Sequence, residues 1–219
     1  MIAEQRISDY LDSLNGENTA ALEKIRAEAV KEEVPVIRRD TENFLRTMIC
    51  ALRPLEILEV GTGVAYSALI MAAASPEDTH ITTIENYEPR IPEARKNIRR
   101  AKAEKKISLI ALDADLALRD LKKNRYDLIF MDAAKGQYLK WFSFLFPALK
   151  EQGVLISDNV LQDGLIAESR FAIDRRDRTI HKRMREYLYV LTHTEGLVTS
   201  IIPVGDGVAV SVKNTGRGE

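Results

Sequence analysis

Three side chains in the second half of the sequence have the types and spacing to hold a cation. Asp132 follows the apolar run Leu128-Ile129-Phe130-Met131, and Asp158-Asn159 follows Val154-Leu155-Ile156-Ser157. If the two runs are neighbouring parallel strands, two carboxylates and an amide oxygen meet at one end of the sheet. Such an all-oxygen set suits magnesium, manganese or calcium, and no histidine or cysteine lies nearby to favour zinc or copper. The plainer alternative is that each residue only caps the helix after it, since Asp and Asn are preferred N-caps. A second set lies earlier. Gly61-Thr62-Gly63 follows the run Ile57-Leu58-Glu59-Val60, and its glycines let a ligand approach the backbone closely. Glu85, roughly 20 residues on, is placed to accept hydrogen bonds from two ribose hydroxyls. Together they imply an adenosine-type cofactor. Val64-Ala65-Tyr66-Ser67 lacks the third glycine of the dinucleotide fingerprint, and such a turn can also serve only to pack a helix on a strand.

The elements that must position these residues can be read from hydrophobic periodicity. Short apolar runs at 56–60, 81–85, 107–112, 128–131 and 154–157 alternate with amphipathic stretches at 65–74, 89–104, 115–123 and 138–150. That alternation predicts a parallel α/β sheet. Acids fall at the run ends: Glu59, Glu85, Asp113, Asp132 and Asp158. In open α/β sheets ligands bind beyond the carboxyl ends of the strands, so the chemistry is expected there. A charged helix near 175–195 precedes runs at 198–203 and 208–212. Gly205-Asp206-Gly207 between them is a hairpin signal. Ahead of the core, Ile7, Leu11 and Leu14, then Leu22, Ile25 and Val30, then Phe44, Leu45, Met48 and Ile49 recur at helical spacing. The expected fold is α/β: a Rossmann-like, doubly wound, seven-stranded and mostly parallel sheet with an antiparallel C-terminal hairpin. One domain is expected over 1–219, with a helical segment at 1–50 and the core at 54–213. Residues 15–18 and 214–219 read as turn and tail.

Composition limits the partners. The chain has 219 residues, 45% of them apolar, and its 32 Lys and Arg against 33 Asp and Glu give a formal charge of −1. No global field marks a nucleic-acid or membrane binder, so any basic site must be local. Cys50 is the only cysteine, which excludes an internal disulfide and a cysteine-rich zinc site. No stretch approaches ~20 uninterrupted apolar residues, and the N-terminus lacks the apolar core of a signal peptide. A cytoplasmic protein with no membrane partner is expected. Local positive charge gathers at Arg170, Arg175, Arg176, Arg178, Lys182, Arg183 and Arg185. Arginine binds phosphate in bidentate fashion, so this segment would attract an RNA backbone. A solvated helix face with ion pairs to Asp174 and Asp177 is the alternative. Tyr138 and Trp141 read either as stacking groups for a base or as core, and Arg38-Arg39 either as phosphate contacts or as a solvent-facing helix start.

The segments LEVGTGVAYSAL, TTIENYE, LDADLALRDL, YDLIFMDAAKGQY and GVLISDNVL resemble, in order and spacing, the motifs of the metal-dependent O-methyltransferases that include catechol and caffeoyl-coenzyme-A methyltransferases. The resemblance covers about residues 35–212 and is nearest to a bacterial branch similar to tRNA 5-hydroxyuridine methyltransferase. It implies S-adenosylmethionine contacts at Ile37, Gly61, Ser67, Glu85, Asp113, Ala114 and Asp132, and Mg2+ held by Asp132, Asp158 and Asn159. It implies Lys135, with Asp132, in the catalytic role, the lysine taking the substrate hydroxyl proton as general base. It also implies methylation of 5-hydroxyuridine to 5-methoxyuridine in a tRNA anticodon loop, with Arg175, Arg176, Arg178, Lys182 and Arg183 as RNA contacts. A small-molecule catechol or caffeoyl-type substrate is the alternative. Relatives of this kind imply a homodimer.

Overall fold

A computed structural model describes residues 5–16 and 18–216. Parts of the turn expected at 15–18 and of the tail expected from Asn214 fall on Glu17 and on 217–219, outside the described residues. The seven strands have the sheet order β3-β2-β1-β4-β5-β7-β6. The chain divides into two compact units, Gln5–Ala117 and Leu118–Glu219.

In the first unit, helices α1 (Gln5–Leu14), α2 (Ala20–Lys31) and α3 (Arg39–Leu52) precede strand β1 (Glu56–Val60). Then follow α4 (Tyr66–Ala74), β2 (His80–Glu85), α5 (Arg90–Arg100), β3 (Ile107–Ala111) and the single turn α6 (Ala114–Ala117). β1, β2 and β3 pair in parallel, with Ile57 opposite Ile81 and Ile81 opposite Ile107. Ile57, Leu58 and Val60 are fully buried, as expected of a strand covered on both faces. α4 is buried almost all round, which explains why its sequence YSALIMAAA carries no polar stripe. α3 instead buries Leu45 and Ile49 together with one charge, Glu42, which is 2% exposed. That carboxylate accepts hydrogen bonds from Tyr66 Oη (2.7 Å) and Asn18 Nδ2 (2.7 Å) and pairs with Arg26, Arg39 and Arg46. A buried carboxylate is tolerated only when paired in this way, and the cluster ties α2, α3 and α4 together. α3 ends at Arg53 in the left-handed region, and Pro54 prevents its continuation.

The second unit holds β4 (Tyr126–Met131), α7 (Tyr138–Ala148), β5 (Leu149–Ser157), α8 (Arg178–His193), β6 (Leu197–Ile202) and β7 (Val208–Lys213). β4 and β5 are parallel, while β7 runs antiparallel to both β5 and β6, so the terminal hairpin is as expected. Three 3₁₀ turns, Lys135–Gln137, Gln162–Ala167 and Arg170–Ala172, punctuate the loops at the strand ends.

Two boundaries differ from expectation. The helix expected over 115–123 is one turn only. Its apolar positions are few, and so short a helix lacks the intrinsic stability to extend itself. β5 starts at Leu149, with Gln152 in the left-handed region and a register irregularity opposite Tyr126 to Leu128, where charged Lys150-Glu151 hid the strand.

The hairpin turn is held by close packing. Gly207 has φ 87°, and a Cβ there would lie 2.4 Å from Leu161 Cγ. The Val160 and Leu161 N–H groups donate to the Gly207 and Asp206 carbonyls. Gly207→Ala combines left-handed strain with overpacking and is expected to cost about 2–3 kcal/mol, read as a lower urea midpoint at unchanged slope. An unchanged midpoint would contradict this packing.

Candidate active site

The glycine turn and the acids of the first unit form one continuous network. Gly61 and Gly63 both have positive φ, 102° and 54°, which glycine adopts without strain. The Gly61 and Thr62 N–H groups donate to the Ile84 carbonyl (3.1 and 3.2 Å), fixing the turn to β2. Beneath it, Glu59 is fully buried and accepts from Ser67 Oγ (2.6 Å) and Thr83 Oγ1. The Ser67 hydroxyl is thus directed into the core. Glu85, at the end of β2, is half-buried and accepts from the Gly63 N–H (2.7 Å) and from its own following amides at Asn86 (3.0 Å) and Tyr87 (2.9 Å). Asp113, at the end of β3, accepts from Asn86 Nδ2 (2.8 Å) and from the Asp115 N–H (2.8 Å), and Ala114 opens α6. Glu85 and Asp113 therefore form a rim of acceptors bridged by the donating Asn86, with Tyr87 exposed beside it. Ile37 is buried, and its carbonyl accepts from Arg26 Nη1 (2.8 Å). Its side chain belongs to the core of the helical segment.

In the second unit, Asp132 and Asp158 leave the ends of β4 and β5, adjacent strands tied by a hydrogen bond from the Asp158 N–H to the Met131 carbonyl (2.9 Å). Asp158 is 1% exposed. Burial, then repulsion from Asp132, pushes its carboxyl up to about 7; Asp206 adds to the shift, while the Asn159 N–H and Lys135 oppose it. Burial likewise raises Asp132, against Lys135. Lys135, in the first 3₁₀ turn, is therefore near enough for its charge to act on both carboxylates. Asn159 has φ 56°, a conformation asparagine tolerates, and its Nδ2 makes a long 3.4 Å contact with Asp206 Oδ2. That contact uses the amide nitrogen, so the amide oxygen is the end that could hold a cation. Neither aspartate merely caps a helix: Asp132 precedes a 3₁₀ turn, and Asp158 turns its carboxylate to the Asn159 N–H (2.7 Å). Among the described residues no group of three or more His, Cys, Asp or Glu is placed to hold a metal. The set here is two carboxylates and an amide.

Of the basic candidates, the structure brings Arg178, Lys182 and Arg183 together. With Arg170, Thr179 and Glu186 they line a groove of about 380 Å³. An adjoining groove of about 400 Å³ adds Arg185 and the buried His181. Arg175 and Arg176 precede α8 and line neither, and Arg176 pairs with Asp174 and Asp177. Arg183 Nη1 donates to the carbonyl of Gly136 (3.3 Å), next to Lys135. Tyr138 and Trp141 are buried in the core, which corrects the stacking role considered for them. Arg39 pairs with Glu23 and Glu42, so its charge is already matched within the helical segment. Asp206 was not foreseen as part of the site. The signal was its place in the turn of a hairpin whose second strand borders β5.

The fold is an α/β sheet with acids at its strand ends. The sequence profile of a family described as O-methyltransferase matches residues 12–214. A caffeoyl-CoA O-methyltransferase of Populus kitakamiensis is 31% identical over 186 residues, 81% of this chain and 76% of that one. A catechol O-methyltransferase of Niastella koreensis is 27% identical, over 75% of this chain and 76% of its own. A Staphylococcus aureus crystal structure, provisionally described as a caffeoyl-CoA O-methyltransferase, superposes with TM-score 0.88 at 32% identity, covering 96% of this chain and all of its own. The chain belongs to the S-adenosylmethionine-dependent O-methyltransferase family. Among the described residues no helix is long and apolar enough to cross a membrane.

The raised carboxyl has a consequence for stability. The folded pKa of Asp158 lies above the unfolded value of 3.8, so the folded chain holds its proton longer than the unfolded one. In the metal-free protein this group therefore favours folding at low pH, and the contribution is lost progressively as pH rises from ~4 through ~7. Asp158→Asn should flatten that decline and raise the metal-free melting temperature at pH 8 by ~5 °C or more. Equal melting profiles of the two proteins between pH 4 and 8 would contradict the burial argument.

Proposed function

We propose that the chain methylates an aromatic hydroxyl of a vicinal diol, in a catechol- or caffeoyl-CoA-like substrate, using S-adenosylmethionine and a divalent cation, with Mg2+ the favoured ion. The observation that carries this reading is the pair of desolvated carboxylates, Asp132 and Asp158, near Lys135. Burial penalises the charge of both, and Asp132 further disfavours that of the fully buried Asp158, which makes a good cation site and a poor structural motif. Asp132, Asp158 and the Asn159 amide oxygen would hold the cation, and their all-oxygen character fits a hard ion. Such a cation supplies Lewis acidity toward a substrate hydroxyl and orients it. S-adenosylmethionine supplies the methyl group as a sulfonium carbon open to in-line displacement.

The chain's own residues do the rest. Glu85, half-buried at the rim and held by the Gly63, Asn86 and Tyr87 amides, would accept from the ribose hydroxyls, with Asp113 beside it. Gly61 and Gly63 keep the turn free of side chains. Ser67 acts from below, holding Glu59 under that turn. Lys135 Nζ takes the proton that the hydroxyl loses, and no protein nucleophile is required. The expected homodimer would cover the apolar stripe Ile7, Tyr10, Leu11 and Leu14 that α1 leaves exposed.

A second reading is favoured by one feature, the groove of Arg170, Arg178, Lys182 and Arg183 with Phe171 fully exposed beside it. It suits a phosphate-bearing substrate, and 5-hydroxyuridine in tRNA, giving 5-methoxyuridine, is the polymeric case. The relatives named above are described as acting on small molecules, which supports the first reading. Enzyme, cofactor and Mg2+ are expected to methylate a free catechol and caffeoyl-CoA, detected by mass spectrometry. Lys135→Met should lower kcat about 100-fold with KM little changed. Methylation of 5-hydroxyuridine tRNA with no turnover of either diol would replace the first reading by the second.

A further inference from the structure

The two carboxylate-bearing segments share one anchor that the chemistry above does not use. Tyr138 is fully buried, and its hydroxyl lies 3.2 Å from the Met131 carbonyl, 3.2 Å from the Asp158 carbonyl and 3.2 Å from the Ala133 N–H, which donates to it. The phenol thus grips the peptide groups on both sides of Asp132 and the backbone of Asp158 itself. Its ring packs edge-on against Tyr187, with centroids 5.5 Å apart at 78°. The Tyr187 hydroxyl is 2.6 Å from Ser157 Oγ, one residue before Asp158. Phenylalanine would fill the same space. It would lose the hydroxyl proton shared between the Met131 and Asp158 carbonyls and leave the Ala133 N–H without that acceptor.

We propose that Tyr138, supported by Tyr187, is the positioning residue of the cation site: it fixes the separation of Asp132 and Asp158 against their mutual repulsion, and so sets metal affinity. The inference rests on the proposed cation at these residues. Groups bonded behind metal ligands typically govern affinity by 10- to 100-fold.

The test uses the full chain and Mn2+ alone, with free ion followed by electron paramagnetic resonance and Mg2+ by competition. Tyr138→Phe keeps the ring and is expected to weaken Mn2+ binding at least tenfold. Its metal-free melting temperature should stay within a few degrees of wild type, and its affinity for S-adenosylhomocysteine should be unchanged. Wild-type affinity in Tyr138→Phe would overturn the anchor while leaving the cation reading intact. A wild-type chain that binds no Mn2+ would overturn both. Should Tyr138→Phe not fold, Tyr187→Phe carries the test: weakened binding supports the bracket, and affinity within twofold of wild type overturns it.

Discussion

The structure of the second unit turns on one constraint: two carboxylates must stay close together where water is scarce. Parallel pairing of β4 with β5 sets Asp132 and Asp158 at neighbouring strand ends, and the hydrogen bond from Asp158 to Met131 prevents them from drifting apart. Burial then works against ionisation of both, and Lys135 and the Asn159 N–H offset only part of that cost. A chain selected for stability alone would replace one of them with an amide or an apolar group. Instead, an aromatic pair, a hairpin turn and a basic helix surround the site. Local instability of this kind, maintained by supporting structure, is what a binding site for a hard cation requires.

The first unit treats its acids in the opposite way. Glu59 is enclosed by hydroxyls from Ser67 and Thr83, and Glu42 by arginines, an amide and the Tyr66 phenol. Neither acid is left in the interior without hydrogen-bond donors. Tyr66 and Ser67 are consecutive at the start of α4, so the two buried acids grip the same turn of helix from different sides. That grip determines where the glycine turn lies, while Glu85, at the next strand end, remains at the rim.

Much of this was legible from spacing. The strand-end acids and the terminal hairpin follow from period-two and period-3.6 patterns and from the ending of apolar runs, which are local properties of the chain. The elements that escaped depend on distant partners. Tyr138 sits in the amphipathic stretch YLKWFSFLF and reads as an aromatic among aromatics; its role appears only when Met131, Ala133 and Asp158 are brought to its hydroxyl. Asp206 reads as turn chemistry until β7 is placed beside β5. Arg175 and Arg176 looked equivalent to Arg178 by charge, but they lie before the helix that directs Lys182 and Arg183 to one side. The helix expected over 115–123 failed because periodicity indicates which face would be buried and not how many turns the rest of the fold will support.

The basic groove also bears on the size of the substrate. Arg178, Lys182 and Arg183 lie within five residues of α8, a rise of ~7.5 Å along the helix axis. A cluster of that length accommodates one or two neighbouring phosphates. It is short for a polynucleotide backbone, whose affinity grows with the number of phosphates neutralised. Arg183 also reaches the carbonyl of Gly136, where a side chain would crowd it: a Cβ on Gly136 would lie 3.0 Å from the guanidinium. The groove and Lys135 are thus joined through a glycine that allows close approach. An RNA loop would need further cations beyond those of this helix, and the formal charge of −1 for the chain as a whole provides no general attraction in their place.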